Sequence, residues 1–197
     1  MIMKRQSVTS AISLIIVIVS MTLSSMAQVA MKPQSITIKL TGTSTLHDWQ
    51  MVATKGTTEA VFVISGDKLT SISKLNFSLP VKNLKSESNA LDKNAYKAMK
   101  TDVNPNIYFV LSAASISPTG GNSYNIKAVG KLTISGNTRD TELQATGTYN
   151  PADKSLTIAG IKSMKMTDFN VKPPTVMLGT IKTGNDIKIA YNLKYTK

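Results

Sequence analysis

A chain of 197 residues with 42% hydrophobic and 17% charged residues has the size and composition of one domain with a full core, and is short for two. It contains no cysteine, which excludes a lipoprotein thioether anchor, a disulfide framework and any thiolate chemistry. The formal charge of +12 comes from dispersed residues, with Lys93, Lys97 and Lys100 in one segment and Lys162, Lys165, Lys172, Lys182, Lys188 and Lys194 spread beyond it. Cations without clustering or interleaved aromatics argue against nucleic acid as a partner; they suit a solvated exterior or a weak attraction to an anionic membrane surface.

The chain opens with Lys4 and Arg5, followed by the short apolar run Ala11–Leu23 and then Ser25-Met26-Ala27. A positive start, an apolar core and small residues at the positions a peptidase inspects read as a signal peptide over 1–27. Cleavage after Ala27 leaves a domain of 28–197 in the periplasm or outside the cell. The competing reading is an uncleaved anchor, because no charge occurs from Gln6 to Met31. Ser20, Thr22, Ser24, Ser25 and Gln28 interrupt that stretch, which favours cleavage.

Beyond Gln28 the dominant period is two. Ile36, Ile38 and Leu40 alternate with Thr37 and Lys39, and Leu75, Phe77, Leu79 and Val81 with Asn76, Ser78, Pro80 and Lys82. Tyr124, Ile126, Ala128, Gly130, Leu132 and Ile134 share one face, as do Ile187, Ile189, Tyr191, Leu193 and Tyr195. Further strands are read at His47–Thr54, Thr57–Ser65, Ile107–Ser115, Thr141–Tyr149 and Ser155–Met166. Turn pairs such as Gly66-Asp67, Gly120-Gly121, Gly136-Asn137, Asn150-Pro151 and Gly184-Asn185 mark the boundaries. The expectation is an all-β antiparallel barrel or sandwich of eight or nine strands, each with one wet and one buried face.

One segment departs from this rhythm. Within Ser86–Lys100, Leu91, Ala95 and Met99 fall on one helical face, Ser86 or Ser88 supplies the cap, and Pro105 forbids continuation. A helix between two strands should cover the barrel wall or one opening, where it closes an edge or gates the interior. In the Ser155–Met166 strand the parity slips, so a bulge near Gly160 and a break near Asp168 are expected. Lys172-Pro173-Pro174-Thr175 reads as a mouth loop or edge crossing, since its prolines cannot join a central ladder.

Chemistry-bearing patterns are sparse. The single histidine, His47, precedes Asp48, but neighbours on a strand point to opposite faces, and no Ser-His-Asp set assembles around it. A hydrogen-bonding role at a strand start or cavity rim is the expectation, with no catalytic residue assigned. One His, no Cys and scattered carboxylates do not make a zinc site; Met164, Met166 and His47 are the only soft set that copper would accept, and methionine more often lines irregular apolar space. No metal or cofactor is assigned. Trp49, Phe62, Phe77, Phe109, Phe169 and Met177 are candidates for the inner face. A lumen packed solid by these side chains and one that holds a ligand read alike.

The order of landmarks resembles the YceI-like family of exported, lipocalin-like, polyisoprenoid-binding proteins. The resemblance runs through Gly42-Thr43-Ser44-Thr45-Leu46-His47-Asp48-Trp49, the polar turn and helix of 83–99, Thr101-Asp102-Val103-Asn104-Pro105-Asn106-Ile107-Tyr108-Phe109, Gly130-Lys131-Leu132-Thr133-Ile134-Ser135-Gly136-Asn137-Thr138-Arg139 and Asp168-Phe169-Asn170-Val171. Trp49 and the Pro173-Pro174 loop depart from the common pattern and suggest a subgroup. The resemblance implies a lipocalin-like antiparallel barrel of about eight strands with one inserted helix, enclosing an apolar channel for a polyprenyl chain. His47, Trp49 and Asp168 are then the polar candidates at its mouth, with Phe62, Phe77, Phe109, Phe169 and Met177 along the lumen. The other reading is a structural or surface-interaction β-protein with a filled core and no ligand; an enzyme acting on a lipid is a third. No residue pattern sets an oligomeric state.

Overall fold

A computed structural model describes residues 27–197. Ten strands follow in chain order: β1 Ala27–Ser44, β2 Trp49–Ala53, β3 Thr57–Ser65, β4 Lys68–Pro80, β5 Asn106–Gly120, β6 Ser123–Ile134, β7 Asn137–Asn150, β8 Ser155–Lys165, β9 Thr175–Val176 and β10 Ile181–Thr196. One helix, α1 Asn89–Ala98, lies between β4 and β5. From β3 to β8 each strand pairs antiparallel with the next, β8 pairs with β10, and β10 returns to β1 over Lys32–Ser44, so the sheet closes. β2 and β3 share one place in the wall: β1 pairs with β3 through Ala27–Met31 and with β2 through Ile38–Gly42. The result is a closed antiparallel eight-strand barrel, lipocalin-like, with β9 a two-residue ladder beside the start of β10. Closure removes the unpaired edges that an open sheet would present.

The alternation read from sequence becomes an inside and an outside. Leu193 and Tyr195 of β10, Tyr124 and Ile126 of β6, Ile36 and Ile38 of β1 and Leu156 and Ile158 of β8 are buried, while their intervening neighbours are exposed or half-buried. Two strands are longer than their patterns suggest. β1 extends back to Ala27, opposite Ile64, so the expected cut falls at the first residue of the strand, and residues 1–26, which carry the rest of that expectation, lie outside the described residues. β4 begins at Lys68, and register shifts against β3 between Val61 and Phe62 and between Val63 and Ile64 scramble the parity of that half. The bulge expected near Gly160 is absent: β8 pairs with β10 without a shift from Leu156 to Lys165. Ile161 simply faces solvent, 66% exposed.

The wall is not uniformly zipped. The β7–β8 ladder holds only Ala145–Asn150 against Ser155–Gly160, and above it the two strands part. The β4–β5 ladder holds only Asn76–Pro80 against Asn106–Val110, and parts below. A tyrosine spans each fork. Tyr191 passes over Gly160, where any Cβ would collide with its hydroxyl, and donates to the Gln144 carbonyl at 2.8 Å. Burial pushes its hydroxyl pKa up to about 12, so the proton that makes this bond stays in place. Across the other fork, Leu69 N–H donates to Tyr124 Oη at 3.1 Å.

The end of the barrel away from α1 is solid. Phe62, Leu69, Tyr124, Tyr149, Leu156 and Tyr195 are buried there, and Phe62 meets Tyr195 edge-on with ring centroids 5.1 Å apart. Edge-to-face pairs of this kind add to the stabilisation from burial alone. At the opposite end, the strand termini at Ser44, Trp49, Pro80, Asn106, Ile134, Asn137, Lys165 and Ile181 surround a mouth.

Candidate functional site: a two-chamber lumen under a helical cover

The mouth is roofed by α1. Ser88 caps the helix, accepting from Leu91 N–H at 3.3 Å, and Tyr96 Oη ties it to the wall by donating to the Leu84 carbonyl at 2.6 Å. Asp92, buried, holds the preceding loop: Oδ1 accepts from Ser86 N–H and Ser86 Oγ, each at 2.8 Å, and Oδ2 faces Lys85 Nζ at 3.4 Å. Burial raises the Asp92 pKa, but the Ser86 hydrogen bonds and Lys85 outweigh it, leaving the carboxyl below its ordinary value of 3.8. Because the folded pKa is the lower one, the stabilisation is fully present above about 3.8 and disappears as pH falls through the folded value. Protection factors of the α1 amides, taken relative to the intrinsic exchange rate at each pH, should therefore be unchanged between neutral pH and mild acid and fall below that window. Asp92→Asn should have lower protection factors at neutral pH that do not vary with pH; a parent-like profile in that variant would show that another group anchors the cover.

Beneath α1 lies a vestibule of about 330 Å³, walled by Leu91, Ala95 and Met99 from the helix, Leu40, His47 and Trp49 from β1–β2, and Met166, Phe169, Val171, Val176 and Ile187 from the far side. Its polar groups are Ser44, His47, Ser88, Asn94, Lys165 and Thr183. A second chamber of about 180 Å³ lies further in, lined by Ile38, Phe77, Phe109, Leu111, Ile126, Ala128, Leu143, Ala145, Ile158, Met164, Ile189 and Leu193, with Tyr195 beside the plugged end. Leu40, Met99, Ile134 and Ile187 face both chambers and form the waist between them. The inner chamber is almost wholly hydrocarbon. The one charged residue there, Lys162, shares the inward parity of Ile158 and Met164.

The residues picked from sequence divide among these places. Trp49 lines the vestibule, its ring lying on Gly42 so closely that a Cβ there would displace it, and its indole N–H donates to the Thr43 carbonyl at 2.9 Å. His47 also lines the vestibule, but its Nδ1 contacts the Asp48 main-chain carbonyl at 2.7 Å, not the Asp48 carboxylate. Phe169 walls the vestibule, and Phe77 and Phe109 the inner chamber. Phe62 lines neither chamber, because its position on β3 puts it in the solid end. Met177 does not face the lumen: it is 72% exposed on the turn before β10. Asp168 is occupied locally, its Oδ2 accepting from Lys165 N–H at 2.8 Å and its carbonyl from Arg139 Nε at 3.0 Å. Met164 and Met166 fall in different chambers, and among the described residues no three His, Cys, Asp or Glu side chains gather as a metal site would need. Sequence reasoning overlooked the waist as a unit, although Met99, Ile134 and Ile187 each carried the right periodicity. It also overlooked Lys165 and Asn94 at the rim, for which no pattern existed.

Residues 30–195 match the model of the YceI-like domain. The chain belongs to the YceI-like family. Structural neighbours share this barrel. BcnA of Burkholderia cenocepacia superimposes with a TM-score of 0.62 at 20% identity, over 81% of this chain and 95% of that one. A polyisoprenoid-binding domain from Saccharophagus degradans, implicated in plant cell wall breakdown, gives 0.61 at 8% identity, over 87% and 99%. The YceI protein of Campylobacter jejuni gives 0.54 at 17% identity, over 73% and 84%. At these identities the likeness is one of fold. No curated protein matches the chain. A YceI-like barrel with an accessible apolar lumen is a ligand-binding architecture, and the two chambers give it that form here.

Proposed function

We propose that this protein is an exported carrier or reservoir that sequesters a polyisoprenoid, or a similarly long apolar chain, with the tail in the inner chamber and the head group in the vestibule. The observation that carries this reading is the division of the lumen: a hydrocarbon chamber joined through an apolar waist to one that has polar groups on its walls. Removing an isoprenoid tail from water is favourable by roughly 25 cal/mol per Å² of apolar surface. A polar head needs only a few hydrogen-bonding groups, and Ser88, Asn94 and the second ring nitrogen of His47 offer them, with Lys165 at the rim in an ion pair with Asp186 at 2.7 Å. The same division favours binding over a filled structural core, whose tight packing is confined here to the Phe62–Tyr195 end.

Binding without turnover is the accompanying proposal, because the one imidazole is engaged by a main-chain carbonyl and the neighbouring Ser44 hydroxyl donates to the His47 carbonyl at 2.7 Å, not to the ring. Export is proposed from Lys4, Arg5, Ala11–Leu23 and Ser25-Met26-Ala27. Native mass spectrometry of the protein isolated from its own cells tests the carrier reading and signal cleavage together. The expected species has the mass of Gln28–Lys197 plus one isoprenoid. Intact chain starting at Met1 overturns cleavage, and a barrel that remains empty after incubation with a polyprenol overturns the carrier reading.

A further inference from the structure

The turn that carries Met177 is unusual for a position with no place in the core. Met177 and Leu178 both have left-handed backbones, with φ of 51° and 55°, a conformation that side-chain-bearing residues adopt at a cost and that persists where it serves the surrounding structure or a function. Leu178 is wholly exposed, Met177 is 72% exposed, and Leu46 on the β1–β2 turn is 65% exposed. The two turns are bound to each other: Thr45 N–H donates to the Lys182 carbonyl at 3.0 Å, and Lys182 N–H donates to Thr45 Oγ1 at 3.1 Å. Three large apolar side chains thus stand on one joined pair of loops, beside the vestibule that Leu46, His47, Val176 and Ile181 help to wall.

We propose that this paired-loop tip docks the mouth of the barrel onto an anionic lipid bilayer. Single exposed hydrophobes are ordinary; a cluster at the rim of an apolar cavity is a contact surface. Charge selects the partner. Lys172 and Lys182 are exposed close to the tip in sequence, and neither has a carboxylate within ion-pair distance among the described residues. Asp48 is the opposing charge on the Leu46 loop, and the chain as a whole carries +12. A net cationic protein with apolar side chains at its mouth fits a surface of anionic head groups over hydrocarbon. The inference rests on the carrier reading in one respect: docking there would let an insoluble chain pass between bilayer and vestibule without crossing water.

The test uses the Gln28–Lys197 protein and two sets of vesicles, one of phosphatidylcholine and one of phosphatidylcholine with phosphatidylglycerol. The parent should co-sediment with the anionic set and be released by salt. The double variant Met177→Ser, Leu178→Ser, whose residues do not line the vestibule, should lose binding at least roughly tenfold, as removal of inserted apolar area requires. It should take polyprenol from vesicles more slowly, yet bind polyprenol delivered from cyclodextrin as the parent does. Lys172→Gln with Lys182→Gln should weaken binding to the anionic set alone. Equal vesicle binding by parent and double variant overturns the docking tip, as does a parent that self-associates through these residues and ignores vesicles. A parent that binds vesicles through the tip but never takes up polyprenol from either source overturns the carrier reading and leaves the tip standing.

Discussion

Ala128→Trp should abolish isoprenoid uptake while leaving the barrel folded. Ala128 faces the inner chamber from β6, opposite Ala114 on β5 and Leu143 on β7, so an indole there projects into the space the tail would fill. The lost contact area at about 25 cal/mol per Å² corresponds to roughly a hundredfold or more in affinity. The fold should tolerate the change, because the added rings enter open volume and displace little protein; overpacking of a full core would instead cost about 1–3 kcal/mol. Titration with a polyprenol followed by intrinsic fluorescence or native mass spectrometry gives the affinity, and a thermal melt reports the fold. Parent-like uptake by a folded variant would show that the ligand stays in the vestibule, and a strongly destabilised variant would show that the chamber is effectively full.

Phe62→Ala should have the opposite signature. Phe62 is completely buried in the solid end, against Tyr195, whose hydroxyl lies 3.2 Å from Thr58 Oγ1. Emptying such a site costs about 3–5 kcal/mol, through lost burial and a cavity that neighbours close incompletely. For a domain of this size that corresponds to a fall in melting temperature on the order of 10 °C. Because Phe62 lines neither chamber, polyprenol affinity measured well below the melt should stay within about threefold of the parent. A large loss of affinity without a loss of stability would place the tail in the plugged end and reverse the assignment of the two ends.

These two side chains show what was legible in the sequence and what was not. Alternation says which face of a strand is inward, and it does so for Ala128, although not for Phe62, which lies in the wholly apolar run Ala60–Ile64. It carries no information about depth along the barrel, and depth decides that one faces a chamber and the other a plug. Depth follows from register, and register here is set by the β1–β10 closure, which joins the two extremes of the chain, and by shifts in the β3–β4 ladder that no local pattern marks. The helix was readable because its cues are local: Ser88 at the cap, and Leu91, Ala95 and Met99 on one face. Met177 is apolar and so reads as a lining candidate, whereas the left-handed turn puts it in solvent. The expected bulge at Gly160 had the same origin, an apolar Ile161 assigned to the inside of a strand that in fact runs without interruption.

The β1–β10 ladder also fixes when the cavity comes into being. Its partners, from Lys32 with Thr196 to Ser44 with Thr183, stand at the two extremes of the chain. Hairpins from β3 to β8 can form as neighbours meet, but the last seam waits for the final strand to find the first, and such distant pairing is slow. Until then the faces destined for the lumen are wet, and the half-made sheet presents two open edges. A dry compartment is therefore a late product of folding, available only to a chain whose last strand is already in place.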